Sequence, residues 1–429
     1  MTGVRVELND VIALIAQDEW ISTARLPEAF AGLGVKVVAV CKAGDPLERS
    51  RYLAASVTAT SDIRSDLEWL VAEHDPAALI ACDEGAVRLL YPLFDAPALS
   101  PRLRNLLRRS LGNPASHSVV TSKWATGSLA EQLNLRVPKQ SRVKTPEEAM
   151  AFAEKVGYPI ILKRENTYGG MGCYVCRSDQ ETLGNYLALG TPRKLRKLRH
   201  WPGLLAALHR LVMCRDAGAG EPLIVQRYHE GQLAFTTAVA RDGVMLGGFT
   251  VVAEHIHPVP TGASTVVRAI DRPEMLQATE ALIRQTQFSG FIGVDFILDR
   301  TDRLPYLLEI NPRVTPACRL GRLLGFDLCG LFAANFAGLT LEHTAQRPTS
   351  VIAFFPNEWI RNWRSPYLRD AYNDVPQDDP ALLAYIYQSL PLSRRIMLAI
   401  GLRGTLPPIK GNPKHWPRFA LRSRTKSKT

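Results

Sequence analysis

Two strand-like segments, residues 293–299 and 307–313, constrain the fold of this chain more than any other part of its sequence. A short polar run joins them, so we predict a β-hairpin. Because side chains alternate along a strand, Glu309 and Asn311 share one face, and Asp295 of the first strand lies within reach of both. Carboxylate and amide oxygens without Cys or His are ligands that suit Mg²⁺. The hairpin therefore predicts a magnesium site, although a solvated sheet face is the alternative for any isolated pair of carboxylates.

Basic and glycine-rich motifs precede this hairpin along the chain. Lys123 follows a Thr-Ser pair, and Lys163 leaves an apolar strand-like segment just before a Gly-Gly-x-Gly loop. A lysine beside such glycines can meet phosphate oxygens as a point charge. Gly169, Gly170 and Gly172 let the backbone approach the phosphates and let the loop open and close. A glycine loop alone is more often a plain turn, but this one lies between a lysine and the predicted metal site.

The order of these motifs resembles that of the ATP-grasp superfamily, in particular its carboxylate–amine ligases, over roughly residues 11–338. Members that it resembles include the ATP-binding part of the carbamoyl-phosphate synthetase large chain, biotin carboxylase and D-alanine–D-alanine ligase. The resemblance implies an α/β fold in three parts. These are a pre-ATP-grasp domain with an open parallel sheet (1–110), an ATP-grasp domain of two α+β subdomains with a glycine-rich lid (111–338), and a C-terminal extension with a basic tail (339–429).

The resemblance also implies which residues bind the nucleotide. Residues 224–228 correspond to the hinge that holds adenine through backbone groups, with Gln226 near the exocyclic amine. The sequence departs from the family at Arg227, where many members carry a glutamate, and at residues 232–233, where many have the ribose glutamate; Glu230 is the alternative. The implied nucleotide-binding residues are Lys123, Lys163, Tyr168, Gly169, Gly170, Gly172, Gln226, Arg227, Tyr228, His229 and Glu230.

The acceptor pocket is expected between the hinge and the metal site. The loop 261–265 offers backbone N–H groups and hydroxyls to a carboxylate or oxyanion, and Arg268 can clamp a carboxylate with two hydrogen bonds. A glycine turn between two strands is the alternative for this loop. A metal site at Glu254 and its neighbouring histidines lacks a third ligand of suitable spacing. The implied substrate-binding residues are His255, His257, Gly262, Ser264 and Thr265.

The chemistry implied by the resemblance is an ATP-dependent ligation. The expected cofactors are ATP and Mg²⁺, with Mn²⁺ as the alternative metal, and the implied metal ligands are Asp295, Glu309 and Asn311. A substrate carboxylate attacks the γ-phosphate to form an acyl phosphate, and an amine or another nucleophile then displaces the phosphate. The implied catalytic residues are Arg313, Arg268 and Lys163. A phosphotransferase or carboxylase on the same fold, and a nucleotide-binding protein without turnover, remain open alternatives.

Alternation of strands and helices at the start of the chain supports the predicted open sheet. Apolar segments 11–16, 35–40 and 78–82 read as buried strands, with helical spacing between them. Because no Gly-x-Gly-x-x-Gly motif follows the first strand, a dinucleotide site is not supported.

Composition favours a globular protein in a reducing cytoplasm. The apolar content is 46%, no secretory signal is recognisable at residues 1–19, and no uninterrupted apolar run is long enough to span a bilayer. Seven scattered cysteines form no disulfide framework. Cys173 and Cys176 lack the second ligand pair of a zinc site, so we interpret them as packing residues. Whether the protein forms oligomers is left open.

Positive charge is concentrated at the end of the chain. Of the formal net charge of +11, nearly all is accounted for by the ten Lys and Arg of residues 394–428, and no acidic residue follows Asp379. A second basic run occupies residues 193–199. Such clusters attract an anionic membrane surface or a polyanionic acceptor, with a solvated tail as the alternative. No motif for sequence-specific nucleic-acid recognition accompanies them.

Removing residues 414–429 should separate the tail from the ATP-dependent reaction. The truncation deletes six Lys and Arg and no acidic residue. Since these charges lie beyond every ATP-grasp motif, ATP turnover on a small acceptor should persist, whereas binding to anionic vesicles should fall and become less dependent on salt. Vesicle sedimentation and ADP release measure the two effects. Loss of turnover in a folded truncation would place the tail in the active site.

Overall fold

The computed structural model describes residues 10–97, 99–165, 167, 172–190, 222–259, 262–339, 349–393 and 395. The strands are β1 (Val11–Ala16), β2 (Lys36–Cys41), β3 (Ala55–Thr58), β4 (Ala78–Ala81), β5 (Gln140–Val143), β6 (Ile160–Lys163), β7 (Cys173–Cys176), β8 (Leu223–Arg227), β9 (Gly231–Arg241), β10 (Val244–His257), β11 (Ala263–Ile270), β12 (Gly290–Asp299), β13 (Pro305–Asn311), β14 (Val351–Ala353) and β15 (Tyr372–Asn373). The α-helices are α1 (Leu26–Ala31), α2 (Ile63–His74), α3 (Glu84–Leu90), α4 (Pro101–Leu111), α5 (His117–Val120), α6 (Lys123–Gln132), α7 (Pro146–Val156), α8 (Asp179–Gly190), α9 (Pro273–Thr286), α10 (Leu328–Ala337), α11 (Asn357–Arg361), α12 (Tyr367–Asp370) and α13 (Pro380–Ser389). Short 3-10 helices lie at Thr23–Arg25, Pro46–Arg49, Tyr91–Asp95, Pro114–Ser116 and Cys318–Leu324.

The first sheet is parallel throughout and has the strand order β3-β2-β1-β4. Every residue of β1 is buried, because α1 and α10 cover one face while α2 and α4 cover the other. A strand covered on both faces reads as a continuous apolar run, so β1 is recognisable in the sequence. The predicted open parallel sheet is confirmed. Strand β3 escapes prediction because it lies at the edge, where its residues alternate between half-buried and exposed.

The second sheet is antiparallel, with the order β5-β8-β6-β7. One face, which includes Ile160 and Leu162, packs against α7 and α8. Helix α7 begins at the predicted N-cap, since the Thr145 hydroxyl accepts a hydrogen bond from Glu148 N at 3.2 Å and the Glu148 carboxylate accepts one from Lys144 N at 2.7 Å. These caps fix where the helix starts over the sheet.

The third sheet has seven strands in the order β13-β12-β9-β10-β11-β14-β15. Neighbouring strands are antiparallel except β14 and β15. The predicted hairpin is confirmed as β12 and β13, which pair Asp295 with Glu309 and Gly293 with Asn311. Strands β14 and β15 come from the predicted C-terminal extension, so part of that extension completes this sheet.

The end of β13 docks on the carboxyl edge of the first sheet. Val314 N donates a hydrogen bond to Ala81 O, at the end of β4, with a distance of 3.1 Å. Nearby, α4 ends at Gly112, whose φ is +88° and where a Cβ would lie 2.4 Å from Gln287 O, so only glycine fits this approach. Ligands of open α/β sheets bind at the carboxyl ends of the strands. The first sheet therefore presents its ligand-binding edge to the predicted metal site.

A buried ion cluster ties the C-terminal segment to the rest of the fold. Asp374 Oδ1 lies 3.2 Å from an Arg25 guanidinium nitrogen, and Asp374 Oδ2 accepts a hydrogen bond from Arg319. All three side chains are buried. Burial alone would raise the pKa of Asp374, but the two guanidinium groups outweigh it and hold the pKa below its usual value.

Several predicted features lie outside the described residues. These are Tyr168, Gly169, Gly170, the basic run 193–199 and the tail from residue 396 onwards. The predicted domain boundaries near residues 110 and 338 stay predictions. Within the described part of the chain, no single helix is long and apolar enough to cross a bilayer; Cys318–Leu324 and α10 meet that test only when joined across a 118° bend.

Replacing Asp374 by Asn should lower the free energy of unfolding by about 3 to 5 kcal/mol, because the buried Arg319 guanidinium loses its carboxylate and Arg25 keeps only Glu28. Urea denaturation at pH 7 measures this difference. The folded-state pKa of Asp374 lies below the unfolded value of about 3.9, so its contribution is present above that value and is lost as pH falls through the folded-state pKa. The two proteins should therefore converge in stability on acidification. The exposed control Asp370→Asn should stay within about 0.5 kcal/mol of wild type, and equal stability of the Asp374 variant at pH 7 would contradict the prediction.

Candidate active site

The predicted metal ligands lie together at the β12–β13 hairpin. Asp295 and Glu309 face each other across the strands, and the Asn311 side-chain amide lies beside Asp295 and helps to stabilise its charged form. The Asn311 oxygen accepts a hydrogen bond from Arg313 at 3.0 Å. The two carboxylates therefore fit a divalent cation as they stand, whereas Asn311 has to turn its amide to offer oxygen. Within the described residues no group of three or more His, Cys, Asp and Glu is arranged to hold a metal ion, and the hairpin itself offers two carboxylates and one amide.

The two carboxylates differ in their affinity for protons. Burial and the negative charge of Glu309 raise the pKa of Asp295 to about 7. Burial also acts to raise the pKa of Glu309, but the ammonium groups of Lys123 and Lys163 outweigh it and hold that pKa below its usual value. The pair accordingly carries between one and two negative charges near neutral pH.

Lys123 bridges the hairpin and the segment that follows β6. Its Nζ lies 3.1 Å from Glu309 Oε2 and also donates a hydrogen bond to Thr167 O. The Lys123 side chain is 19% exposed and the Glu309 side chain is 22% exposed, so both are largely buried. The Lys123 ammonium thus neutralises Glu309 at the place where a divalent cation is predicted.

Glu165 caps the helix that carries Lys123. Its carboxylate accepts hydrogen bonds from the backbone N–H groups of Lys123 at 2.9 Å and Trp124 at 3.0 Å, and from the Ser122 hydroxyl at 3.0 Å. A carboxylate at a helix N-terminus satisfies free N–H groups and complements the helix dipole. The start of α6 is thereby fixed to the segment that begins at Lys163.

Lys163 and Gln226 lie on the uncovered face of the second sheet. The register pairs Lys163 with Ile224 and Ile161 with Gln226, so these four side chains share the face opposite the core of that sheet. Lys163 is 8% exposed and Gln226 is 3% exposed. Within the described residues no hydrogen bond or ion pair engages the Lys163 ammonium, and the Gln226 Oε1 is buried without a partner. A buried cation and a buried acceptor without partners are costly unless a ligand satisfies them.

The two cysteines of the Cys-x-x-Cys motif face opposite sides of this sheet. Cys176 is buried in the core with Ile160, whereas Cys173 pairs with Lys163 on the uncovered face. Both thiols are free. Cys176 is a packing residue, as interpreted from the sequence. Cys173 instead lies beside Lys163, the candidate phosphate-binding lysine.

Arg313 connects the hairpin to the first sheet. Its guanidinium donates to Glu84 at 2.8 Å, to Val314 O at 3.1 Å and to Asn311, and it lies 4.6 Å from the ring centroid of Trp20. Glu84 is the first residue of α3, at the carboxyl edge of the first sheet. In this structure Arg313 orients Asn311 and joins the two sheets.

The remaining hinge residues make contacts within the protein. Arg227 N donates to Lys139 O at 2.8 Å and Tyr228 N donates to Pro159 O at 3.3 Å. His229 Nδ1 lies 2.7 Å from Asp299 Oδ2 and its ring stacks on Tyr306. At the surface, Glu230 pairs with Arg300 at 2.8 Å.

Arg268 is not brought to the metal ligands. Across the sheet, Asp295 pairs with Phe235, Phe235 with Val251, and Val251 with Ala269, so these four side chains share one face. Arg268 is the neighbour of Ala269 along the strand and therefore points to the other face. Three strand spacings, or roughly 14 Å, separate β11 from β12. The Arg268 side chain pairs there with Glu254, which also accepts a hydrogen bond from Tyr367 at 3.1 Å.

The other predicted acceptor residues lie at the same β10–β11 hairpin. His257 pairs with Ala263, and Ser264 pairs with Ile256, as in a plain strand turn. Gly262 N donates to Pro258 O. The His255 ring contacts Tyr367 edge to face, and the Thr265 hydroxyl is buried and donates to Glu358 at 2.7 Å. These contacts join the hairpin to the C-terminal segment.

A cavity of about 530 Å³ opens beside the metal ligands, on the side of the first sheet. Its floor includes Lys123, Glu309 and Asn311, and its walls come from α3, the segment 91–95 and α5. Sequence reasoning missed these walls and the cap Glu165. One signal was available, because Glu84 directly follows a buried parallel strand, where ligand-binding residues concentrate.

Replacing Lys123 by Gln should change metal and nucleotide binding in opposite directions. Without the ammonium, a divalent cation no longer competes for Glu309, so free Mn²⁺ should bind at least about 5-fold more tightly at pH 8 in the absence of nucleotide. MgADP should bind more weakly because a phosphate-facing charge is lost. Electron paramagnetic resonance of free Mn²⁺ and calorimetry with MgADP measure the two affinities. The exposed control Lys155→Gln should alter neither, and weaker Mn²⁺ binding by the Lys123 variant would refute the competition.

Comparison with known families agrees with this geometry. Residues 123–191 match the family model for the carbamoyl-phosphate synthase L chain, ATP binding domain, and residues 210–317 match the model for the ATP-grasp domain. The carbamoyl phosphate synthase large chain of Pyrococcus furiosus is 25% identical over 238 residues. That similarity covers 53% of this chain but only 20% of the much longer relative.

Solved structures share the fold over most of the chain. The N5-carboxyaminoimidazole synthetase of Staphylococcus aureus, complexed with ADP, aligns with a TM-score of 0.57 at 14% identity over 80% of this chain and 82% of its own. The biotin carboxylase domain of the Hydrogenobacter thermophilus 2-oxoglutarate carboxylase, in complex with MgADP, ADP and bicarbonate, aligns with a TM-score of 0.54 at 15% identity, over 77% and 71%. The chain therefore has the fold of these proteins, and its residues 123–191 and 210–317 are similar to ATP-grasp domains.

Proposed function

We propose that this protein is an ATP-dependent ligase that activates a carboxylate as an acyl phosphate and joins it to an amine or another nucleophile. The single observation that carries the proposal is the uncovered face of the second sheet. There the Gln226 Oε1 is buried without a hydrogen-bond partner among the described residues, and the buried Lys163 ammonium, which interacts electrostatically with Glu309, makes no hydrogen bond or ion pair among them. An anion that carries a hydrogen-bond donor at its far end, such as ATP with its exocyclic amine, satisfies both groups.

The nucleotide is held by the residues of that face and of α6. Lys163 and Gln226 are two residues apart in register, roughly 7 to 8 Å, which separates a phosphate contact from a base contact. Lys123 lies at the phosphate end because its ammonium contacts Glu309. Gly172 and the predicted glycine loop before it enclose the phosphates. The departures at Arg227 and Leu233 leave ribose recognition to other groups, with Glu230 as the remaining candidate.

Asp295 and Glu309 fit a divalent cation, and Asn311 joins them once its amide turns. A bound Mg²⁺, or Mn²⁺ in its place, supplies charge neutralisation for the β- and γ-phosphates. Arg313 holds Asn311 and Glu84 in position, so the hairpin keeps its shape when the cation enters. Glu309 is ionised in the free protein because two lysines face it, and so it needs no proton release to bind a cation.

The ligation proceeds in two steps. A carboxylate oxygen of the substrate attacks the γ-phosphorus, the bond to the bridging oxygen breaks, and ADP leaves. The nucleophile then attacks the acyl carbon, phosphate leaves, and the nucleophile loses a proton. Lys123 and Lys163 stabilise the charge on the transferred phosphoryl group, and the closed glycine loop keeps water from hydrolysing the acyl phosphate.

We assign the acceptor to the cavity of about 530 Å³ rather than to the β10–β11 hairpin. The cavity shares Lys123, Glu309 and Asn311 with the metal site, so an acceptor there can reach the transferred phosphoryl group. By contrast, Arg268 lies three strands away on the other face of the sheet. An anionic surface as a partner of the basic tail remains a separate proposal.

ADP release with a panel of carboxylates, bicarbonate included, and a panel of amines tests the proposed reaction. Mass spectrometry of the product distinguishes a ligase from a carboxylase or a phosphotransferase, which share the ATP site and differ in the acceptor. A protein that binds MgADP but releases no ADP with any acceptor would instead fit nucleotide binding without turnover.

Replacing Glu309 by Gln should abolish Mg²⁺-dependent ATP turnover, by at least about 100-fold, while the protein stays folded. The amide keeps the size of the side chain but removes the charge that attracts the cation and pairs with Lys123. Turnover with saturating Mg²⁺, together with circular dichroism, provides the measurement. Glu280→Gln on the exposed side of α9 is the matched control, and normal turnover by the Glu309 variant would show that the metal site is elsewhere.

A further inference from the structure

The cavity has an aromatic wall that the ATP site does not use. Tyr91 and Phe94, in the short 3-10 helix after α3, both contact the His117 ring edge to face, with centroid distances of 4.5 Å. His117 is the first residue of α5. All three side chains line the cavity, which Glu309 and Asn311 also line.

Two polar atoms of this wall are buried without a partner. Tyr91 is 5% exposed and His117 is 8% exposed, yet neither the Tyr91 hydroxyl nor the His117 Nε2 makes a hydrogen bond to any described residue. A buried hydroxyl or imidazole nitrogen that is left without a partner destabilises the folded protein. Because both side chains line the cavity, the Tyr91 hydroxyl and the His117 Nε2 belong to its wall.

The charged groups that line the cavity are already engaged, except the exposed Asp95 at its rim. Glu309 pairs with Lys123, Glu84 pairs with Arg313, and the Arg88 guanidinium lies 3.5 Å from Asp18. Burial lowers the pKa of His117 to about 4, so its imidazole is uncharged at neutral pH. The exposed Asp95, at the rim of the wall, acts against this shift. The two groups of the wall that lack a hydrogen-bond partner among the described residues, the Tyr91 hydroxyl and the His117 imidazole, are therefore uncharged at neutral pH.

We propose that Tyr91 and His117 select an acceptor substrate that carries an uncharged polar group on a planar, ring-sized body. This inference rests on the proposed function and narrows its acceptor. A phenol and a neutral imidazole together offer donor and acceptor capacity, which complements an amide, a lactam or a ring N–H. They cannot match the charge of a carboxylate or an ammonium, which would be buried there without a counter-ion. The Phe94 ring and the apolar residues of the wall contact the planar body.

The reacting end of such an acceptor faces the other side of the cavity. Its nucleophilic atom lies toward Glu309, Asn311 and Lys123, where the activated carboxylate is formed. A volume of about 530 Å³ is within the range of small-molecule sites. A site that hydrogen-bonds a substrate group rejects analogues that lack it, because its own buried groups are then left unpaired.

Three matched fluorinated fragments test the selection. They are 4-fluorobenzamide, 4-fluorobenzoate and 4-fluorobenzylamine, which share one ring and differ in charge at neutral pH. Each is titrated with the full-length protein in the presence of MgADP, and ¹⁹F line broadening gives the affinity. The neutral amide should bind at least about 5-fold more tightly than either charged fragment. Tyr91→Phe and His117→Phe should each reduce amide binding at least about 3-fold and leave the charged fragments unchanged.

Two controls separate this inference from a folding defect and from the proposed function. Ser118→Ala changes a cavity-lining hydroxyl at the exposed rim and should leave amide binding unchanged. In ¹³C-histidine spectra, the amide should shift the His117 signal of the wild-type protein, which tests the contact without any substitution. Tighter binding of a charged fragment, or equal amide binding by wild type and both variants, would overturn the selection. Calorimetry with MgADP on the same samples tests the ATP site by itself, so loss of MgADP binding with amide selectivity intact would count against the proposed function alone.

Discussion

The ion pair between Lys123 and Glu309 is the interaction on which the candidate site depends. It joins a helix that precedes the second sheet to a hairpin of the third, and both partners are largely withdrawn from water. Around it, Glu165 fixes the start of the helix, and Arg313 fixes the end of the hairpin against the first sheet. Elements of all three sheets therefore meet around the Lys123–Glu309 ion pair. A ligand that enters there encounters groups whose positions are already set, which lowers the entropy cost of binding.

Local patterns predicted those parts of the site that depend on neighbours in the sequence. Strand alternation was enough to bring Asp295, Glu309 and Asn311 to one face, and an apolar strand followed by glycines was enough to identify Lys163. Gln226 came from the family resemblance, and the structure places it on the same sheet face as Lys163. In each case the relevant spacing is one or two residues, which a sequence displays directly.

Contacts between segments that are distant in the sequence could not be predicted from such local patterns. Glu165 caps a helix that begins some forty residues earlier, and the pairing of Tyr91 with His117 depends on how two short helices meet. For Arg268, by contrast, closeness in the sequence was misleading. Its segment lies between the hinge and the metal site in the sequence, but the sheet order inserts β9 and β10 between β11 and β12. Order along the chain is a poor guide to distance across an antiparallel sheet.

The buried contact between Arg25 and Asp374 has a consequence for synthesis of the chain. These two residues are 349 positions apart, so a growing chain exposes Arg25 long before its carboxylate partner leaves the ribosome. Strands β1 to β4 can pair early, but the Arg25 guanidinium has only Glu28 as a carboxylate partner until the segment that carries Asp374 has been made. Contacts of such high sequence separation slow the final stage of folding. A segment that is made late in synthesis is therefore required to complete one that is made early.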